Sequence, residues 1–414
     1  FRRSTIERLV QYFEQLCQKA LAQPEVPLSG LSLLDAASQE SILALAEGPA
    51  ATVPPLAFPD LFRAQAQAHP EAEAIRCGEH RYTYAQVDAL TDHLSQIILR
   101  DHAPSLETPI GLRIPRSEWY PIGILAIQKA GGAFIPIDAA LPPERVRYML
   151  DASAAQLLLY AEVEALADCT IPQLDLTQLA AQSAPTDRLA CPQLGPEHLS
   201  YVLFTSGSTG LPKGALIEQG GMINHQYDKI YELGLDENCR VAHTASVSFD
   251  ISIWQALTAL LVGGTTIIYR EKTVLEPTRL LAALRRDQVT VMETVPSYLQ
   301  VLVETLAKAE EQTLALRYLL SIGEVLKKSL VQRWLSVAPE IPLINTYGPT
   351  EAADTICHQH LREVPKERSV PVGRPIRNTR VYVMDERLRV CPVGVKGEIC
   401  VSGIGVGAGY WKNE

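Results

Sequence analysis

Apolar residues recur at helical spacing from the start of the chain, with Ile6, Leu9, Val10, Phe13, Leu16 and Cys17 on one face. Ser4 and Glu7 fit a capping box, and Gln23-Pro24 ends the helix. Residues 24–56 are rich in Pro, Ala, Gly and Ser, which predicts a connecting segment with one short helix near Gln39–Glu47. From Phe58 onward, apolar runs alternate with amphipathic stretches. The pattern predicts helices over Tyr84–Arg100, Pro121–Ala130 and Glu144–Ala152, with strands at Pro109–Ile114, Ala133–Ile137 and Gln156–Tyr160. A second series runs from about Ser200 to Tyr347, with strands at Thr265–Tyr269, Val289–Glu293 and Tyr318–Ser321. The expected fold class is α/β, with two mostly parallel β-sheets flanked by helices. Near the end, Arg380–Met384 and Gly397–Ser402 are short strands between Pro and Gly, which predicts a small β-barrel-like segment.

Composition narrows the function classes. The 414 residues are 47% hydrophobic and 20% charged, as in a soluble globular protein of more than one packed unit. The most apolar stretch, Ala256–Tyr269, is broken by Gly263-Gly264 and falls short of the ~20 residues of a membrane span. No leader-like pattern opens the chain, and the eight cysteines form no CxxC pair or His/Cys cluster. The expectation is a cytoplasmic protein with reduced thiols and no zinc site. A net charge of −10 argues against nucleic acid as a partner, although local amides and lysines still suit a nucleotide's phosphates.

The most informative stretch is Tyr201–Gly214. An apolar strand runs into Thr205-Ser206-Gly207-Ser208-Thr209-Gly210, followed by Lys213. Glycines let backbone amides converge on an anion, the hydroxyls add donors and the lysine adds charge. The spacing does not fit the G-x-x-x-x-G-K-[ST] loop of Walker A proteins.

With this loop in view, the chain resembles the adenylation domains of nonribosomal peptide synthetases, within the adenylate-forming superfamily. Six motifs occur in order. They are Tyr82-Thr83-Tyr84 with Leu90; Lys129–Asp138 continuing to Glu144-Arg145; the loop above; Phe249-Asp250-Ile-Ser252; Asn345–Glu351; and Gly397-Glu398-Ile399 with Gly403–Tyr410. The resemblance covers residues 56–414, as the large N-terminal subdomain, and it implies that residues 1–55 are a linker after an upstream condensation domain. It implies attack of an amino acid's carboxylate on the α-phosphate of ATP, followed by loading onto a carrier protein. The products in view are peptides of the siderophore or lipopeptide kind. Thr205, Ser206, Gly207, Ser208, Thr209, Gly210 and Lys213 would hold the phosphates, with Lys213 also counted as catalytic. Glu351 would bind Mg²⁺ and Thr350 would face the α-phosphate. Tyr347 would stack on adenine, with Gly323, Asn345 and Gly348 beside it.

By the same resemblance Asp250 would bind the substrate's α-ammonium. The side-chain pocket would be lined by Asp250, Ile251, Trp254, Glu293, Leu320, Ile322, Thr346, Asp354 and Thr355. Glu293 and Asp354 are acids among apolar walls, and a cationic substrate side chain would relieve the cost of burying them. The set is similar to those of domains activating 2,4-diaminobutyrate, with ornithine next. One amine cannot neutralise both acids, so Thr346 or Thr355 is expected to hydrogen-bond one of them, or one to be protonated. On this reading Glu293→Ala removes the diamine preference. The family's ribose-binding aspartate motif and small C-terminal subdomain, with its bridging lysine, have no counterpart in residues 1–414, so weak adenylation by this chain alone is expected. Two alternatives stand beside this: an acyl-CoA ligase, which Asp250 argues against, and a non-catalytic amino-acid or nucleotide binder.

Overall fold

The alternating apolar and amphipathic segments build two sheets. The computed structural model of the chain describes residues 3–183, 189–205 and 212–412. Two units are present: residues up to Ala51 with Arg374–Gly403, and Thr52–Gly373 with Ile404 onward. In the larger unit the strands are β1 (Glu73–Cys77), β2 (His80–Thr83), β3 (Pro109–Ile114), β4 (Ala133–Asp138), β5 (Leu157–Tyr160), β6 (Gln173–Asp175), β7 (Leu199–Thr205) and β8 (Lys213–Glu218). They continue with β9 (Arg240–His243), β10 (Thr265–Ile268), β11 (Val291–Thr294), β12 (Tyr318–Ser321), β13 (Leu343–Tyr347) and β14 (Cys357–Leu361).

One sheet runs β14-β13-β12-β11-β9-β10-β1-β2 and is parallel from β13 to β1, with antiparallel strands at either end. The other runs β8-β7-β4-β3-β5-β6, with β7 and β8 antiparallel and the rest parallel. Continuous apolar strands such as Ala133–Ile137 are buried on both faces, as parallel strands covered by helices must be. One core joins the sheets: Ile110, Leu112 and Phe134 belong to the same apolar cluster as Ile75, Val241, Leu320 and Ile344. No helix among the described residues is long and apolar enough to cross a membrane.

Helix starts show how local signals compete. The Ser4/Glu7 box does not form, because the helix already includes Arg3, which pairs with Glu7 at 2.8 Å. A capping box does form at Thr83 and Gln86, opening the helix Tyr84–His102.

The end of the chain departs from expectation. In place of a barrel, β15 (Thr379–Met384) and β16 (Glu398–Gly403) form a two-stranded antiparallel pair, and two strands cannot close. The hairpin packs with the N-terminal segment. Glu47 pairs with Arg380 at 3.1 Å, and the Asn378 side chain brackets the backbone of Ala51 at 2.9 Å on both its N–H and C=O.

Candidate functional site

The glycine-rich stretch joins two antiparallel strands, β7 and β8, with Thr205 opposite Lys213. It therefore leads into a strand, whereas a Walker A loop leads into a helix. Ser206, Gly207, Ser208, Thr209 and Gly210 lie outside the described residues. Beyond β8 the chain's last strand, β17 (Gly409–Tyr410), places Tyr410 opposite Ala215. The Lys213 ammonium stands 5.4 Å from the centre of the Tyr410 ring. The Tyr410 hydroxyl donates to Glu351 Oε1, and this bond pushes the phenol up to about 12. Gly407 N–H donates to the Glu351 carbonyl at 2.8 Å. Lys213 and Glu351, distant in sequence, thus meet across one tyrosine. On either side of this ring, the carboxylate offers a hard oxygen donor for a magnesium ion and the ammonium a cation for phosphate oxygens.

Glu351 sits in a short 3₁₀ turn, Thr350–Ala352, that follows β13. The chain folds back sharply here: Ile356 N–H returns to the Tyr347 carbonyl at 2.9 Å. A Cβ on Gly348 would lie 2.0 Å from the Asp354 carbonyl oxygen, so only glycine fits. Ala353 and Asp354 both have positive φ, 56° and 83°, a strained pair in the fold-back. Gly348→Ala is expected to lower unfolding stability by about 2–3 kcal/mol by overpacking, and chemical denaturation with an unchanged m-value checks it. Tyr347 keeps 39% of its surface exposed at the end of β13, where a planar base could stack. Asn345 is buried and donates to the Pro371 carbonyl at 2.8 Å. Gly323 has a φ of 85° beside Val295.

Next to this turn are three acids, the half-buried Asp250 and the buried Glu293 and Asp354. Asp250 precedes the helix Ile251–Leu257, and its Oδ1 accepts from the Ile251 amide at 2.9 Å. Its Oδ2 accepts from the Thr350 hydroxyl. Burial, with help from the Glu293 charge, raises the Asp250 carboxyl above its ordinary range. Glu293 is fully buried and accepts from Trp254 Nε1 and from the Thr346 hydroxyl at 2.7 Å. The buried Lys229 ammonium lies 3.7 Å from Glu293 Oε1 and 5.0 Å above the Trp254 ring. Asp354 is also buried, and burial followed by the Asp250 and Glu293 charges drives its carboxyl well above the usual range. Its Oδ2 completes no hydrogen bond among the described residues; His225 Nε2 approaches to 3.5 Å. Burial, then the Lys229 charge, holds His225 well below an ordinary histidine, so it faces Asp354 as a neutral ring. Ile251, Leu320 and Ile322 are buried apolar walls, and the buried Thr355 hydroxyl is unpaired among the described residues.

The AMP-binding enzyme family model matches residues 62–411. This chain belongs to the AMP-binding enzyme family. Among its relatives, tyrocidine synthase 2 of Brevibacillus parabrevis is 31% identical over 416 residues, which cover 100% of this chain and 11% of that protein. Gramicidin S synthase 1 of Brevibacillus brevis is 33% identical, over 85% of this chain and 31% of its own length. The crystal structure of the nonribosomal peptide synthetase FmoA3 in its AMPPNP-bound form matches with a TM-score of 0.88 at 25% identity, covering 100% of this chain and 45% of that one. The Klebsiella oxytoca NpsA N-terminal subdomain, in complex with 3-hydroxybenzoyl-AMSN, matches with a TM-score of 0.76 at 25% identity over 86% of this chain and 88% of that subdomain. The fold is that of the large subdomain of adenylate-forming ligases.

Three side chains of the candidate site were not singled out in the sequence. Lys229 and His225 lie on the helix Gln219–Leu233, and Tyr410 stood only as the end of a motif. A signal for the first two exists: His225, Asp228, Lys229 and Glu232 fall at i, i+3, i+4 and i+7, so one helical face carries four ionisable groups.

Proposed function

We propose that this AMP-binding enzyme adenylates an α-amino acid, as a domain of a nonribosomal peptide synthetase that passes the product to a carrier protein. The observation that carries the proposal is the contact between Thr350 and Asp250. An amino acid's ammonium and carboxylate share one carbon. If Asp250 takes the ammonium, the carboxylate falls near Thr350, beside the turn that carries Glu351. That is where the α-phosphate must be for in-line attack. Asp250 orients the nucleophile, and Thr350 stands at the α-phosphate. Thr205, Lys213 and the loop between them bind the β- and γ-phosphates and offset the charge that moves onto pyrophosphate. Mg²⁺, held by Glu351, would supply charge neutralisation at the phosphate oxygens. Tyr347 stacks on adenine, with Gly323, Asn345 and Gly348 shaping that pocket. Residues 1–55 serve as the join to an upstream condensation domain.

The buried charges support a short cationic side chain, with 2,4-diaminobutyrate first and ornithine second. Three carboxylates, Asp250, Glu293 and Asp354, face one resident ammonium, Lys229. Lys229 and Thr346 account for Glu293. Two charges remain, and a diamino acid brings two: the α-ammonium for Asp250 and the side-chain ammonium for Asp354. Trp254 fills volume at the far wall, which favours a short side chain. Exchange of labelled pyrophosphate by the full-length synthetase tests this across amino acids. Diaminobutyrate should exceed ornithine, and both should exceed leucine; equal exchange with leucine overturns the side-chain assignment while leaving adenylation in place.

The magnesium role has its own test. Glu351→Gln is expected to weaken Mg²⁺-dependent ATP binding by about 1.5–3 kcal/mol, the usual value of a charged contact. Calorimetry with and without Mg²⁺ reads it. Unchanged Mg²⁺ dependence removes Glu351 from that role.

A further inference from the structure

We propose that Glu232, His358 and His360 bind a divalent transition-metal ion, with Asp228 orienting His358. The four residues come from two elements. Strand period places His358 and His360 on one face of β14. Asp228 and Glu232 are one turn apart on the helix Gln219–Leu233. One ligand atom from each of Glu232, His358 and His360 lies within 4.8 Å of the others. His360 Nε2 is 2.7 Å and His358 Nε2 3.3 Å from the same oxygen, Glu232 Oε1. Ligands around a tetrahedral zinc stand about 3.3 Å apart, so little movement is needed to admit an ion.

The other nitrogen of His358 supplies the second observation. His358 Nδ1 faces Asp228 Oδ2 at 3.7 Å, and the Asp228 side chain is fully buried. A carboxylate behind a histidine whose far nitrogen points at a metal is the usual outer arrangement of protein metal sites. With a metal on Nε2, the ring stays neutral and directs Nδ1–H at Asp228. Two imidazoles and a carboxylate suit Zn²⁺, Co²⁺ or Ni²⁺, whereas Mg²⁺ prefers oxygen alone. The side chains of His358, His360 and Glu232 retain 15%, 31% and 23% of their exposure, which leaves an entry path. The cluster involves neither Glu351 nor Lys213.

The test is titration of the metal-stripped chain with Co²⁺, followed by visible absorption, and with Zn²⁺ by calorimetry. One equivalent should bind and give tetrahedral cobalt bands that excess Mg²⁺ does not displace. Glu232→Gln and His360→Ala should each weaken binding at least tenfold, and Asp228→Asn by about tenfold. His102→Ala should leave it unchanged, and circular dichroism should confirm that each variant is folded. Absence of stoichiometric Co²⁺ and Zn²⁺ binding by the native chain overturns the proposal whatever the variants do. So does binding that survives both ligand substitutions.

Discussion

Asp250→Asn is expected to lower amino-acid-dependent pyrophosphate exchange by the full-length synthetase by about a hundred- to a thousandfold. The substitution keeps the shape and one acceptor oxygen, so Thr350 retains a partner. What is lost is the charge proposed to meet the α-ammonium. Leaving one partner of a desolvated charge pair alone costs about 2–5 kcal/mol, or about thirtyfold to several thousandfold. ATP binding by the same variant should change by less than about twofold, since the proposed nucleotide contacts at Lys213, Tyr347 and Glu351 do not include Asp250. The loss should appear both in kcat and in KM, because a carboxylate that binds loosely is also badly aimed. Exchange within tenfold of native would mean that Asp250 is only a helix-capping residue, a role its bond to the Ile251 amide could fill alone.

The parts of this site that were legible in the sequence share a physical trait. Gly348, Thr350 and Glu351 are consecutive or nearly so, and the fold-back that they make admits one residue type at Gly348. Backbone constraints of that kind leave a local signature. The parallel sheets were legible for a similar reason, since strands such as β4 and β12 are buried on both faces and read as unbroken apolar runs. The union of β15 and β16 with the N-terminal segment left none. Glu47 and Arg380 are exposed ions 333 positions apart, each of which could as well face solvent. The Ser4/Glu7 capping box misled because the same two-position spacing rule is met wherever a helix continues through it, and Arg3 offers Glu7 a better partner.

Lys229 is the instructive omission. A lysine on a helix ordinarily reaches water, and the row of ionisable groups on its helical face does not by itself say that this one points inward. Only the three-dimensional arrangement brings it to Glu293 and Trp254. Its presence changes the charge count of the pocket. The sequence left two buried acids for one substrate amine; the structure gives one of them a resident ammonium and the Thr346 hydroxyl, and leaves Asp354 with a neutral histidine.

From that count follows a shift in which acid governs selectivity. Asp354→Asn should cut the preference for diaminobutyrate over leucine by about a hundredfold, the value of some 2–3 kcal/mol for a buried charge contact. Glu293→Gln should cost activity toward both amino acids alike, because it leaves the Lys229 ammonium without its counter-charge in the pocket wall. The pH dependence separates the two further. In the empty site burial holds Asp354 well above the usual carboxylate range, so it carries a proton where a solvent-exposed aspartate would not. A substrate ammonium favours the ionised form, so binding the diamine releases that proton. Affinity for the diamine should therefore rise with pH, by up to about tenfold per unit, until Asp354 ionises in the free protein, and then level off. Leucine binding, and diamine binding by the Asp354→Asn variant, should keep only the smaller slope that the raised Asp250 carboxyl gives to any α-ammonium. Calorimetry in buffers of different ionisation enthalpy counts the proton directly. A flat profile for native protein, or loss of diamine preference from Glu293→Gln with none from Asp354→Asn, would place the substrate's second ammonium at Glu293 and return Lys229 to a structural role.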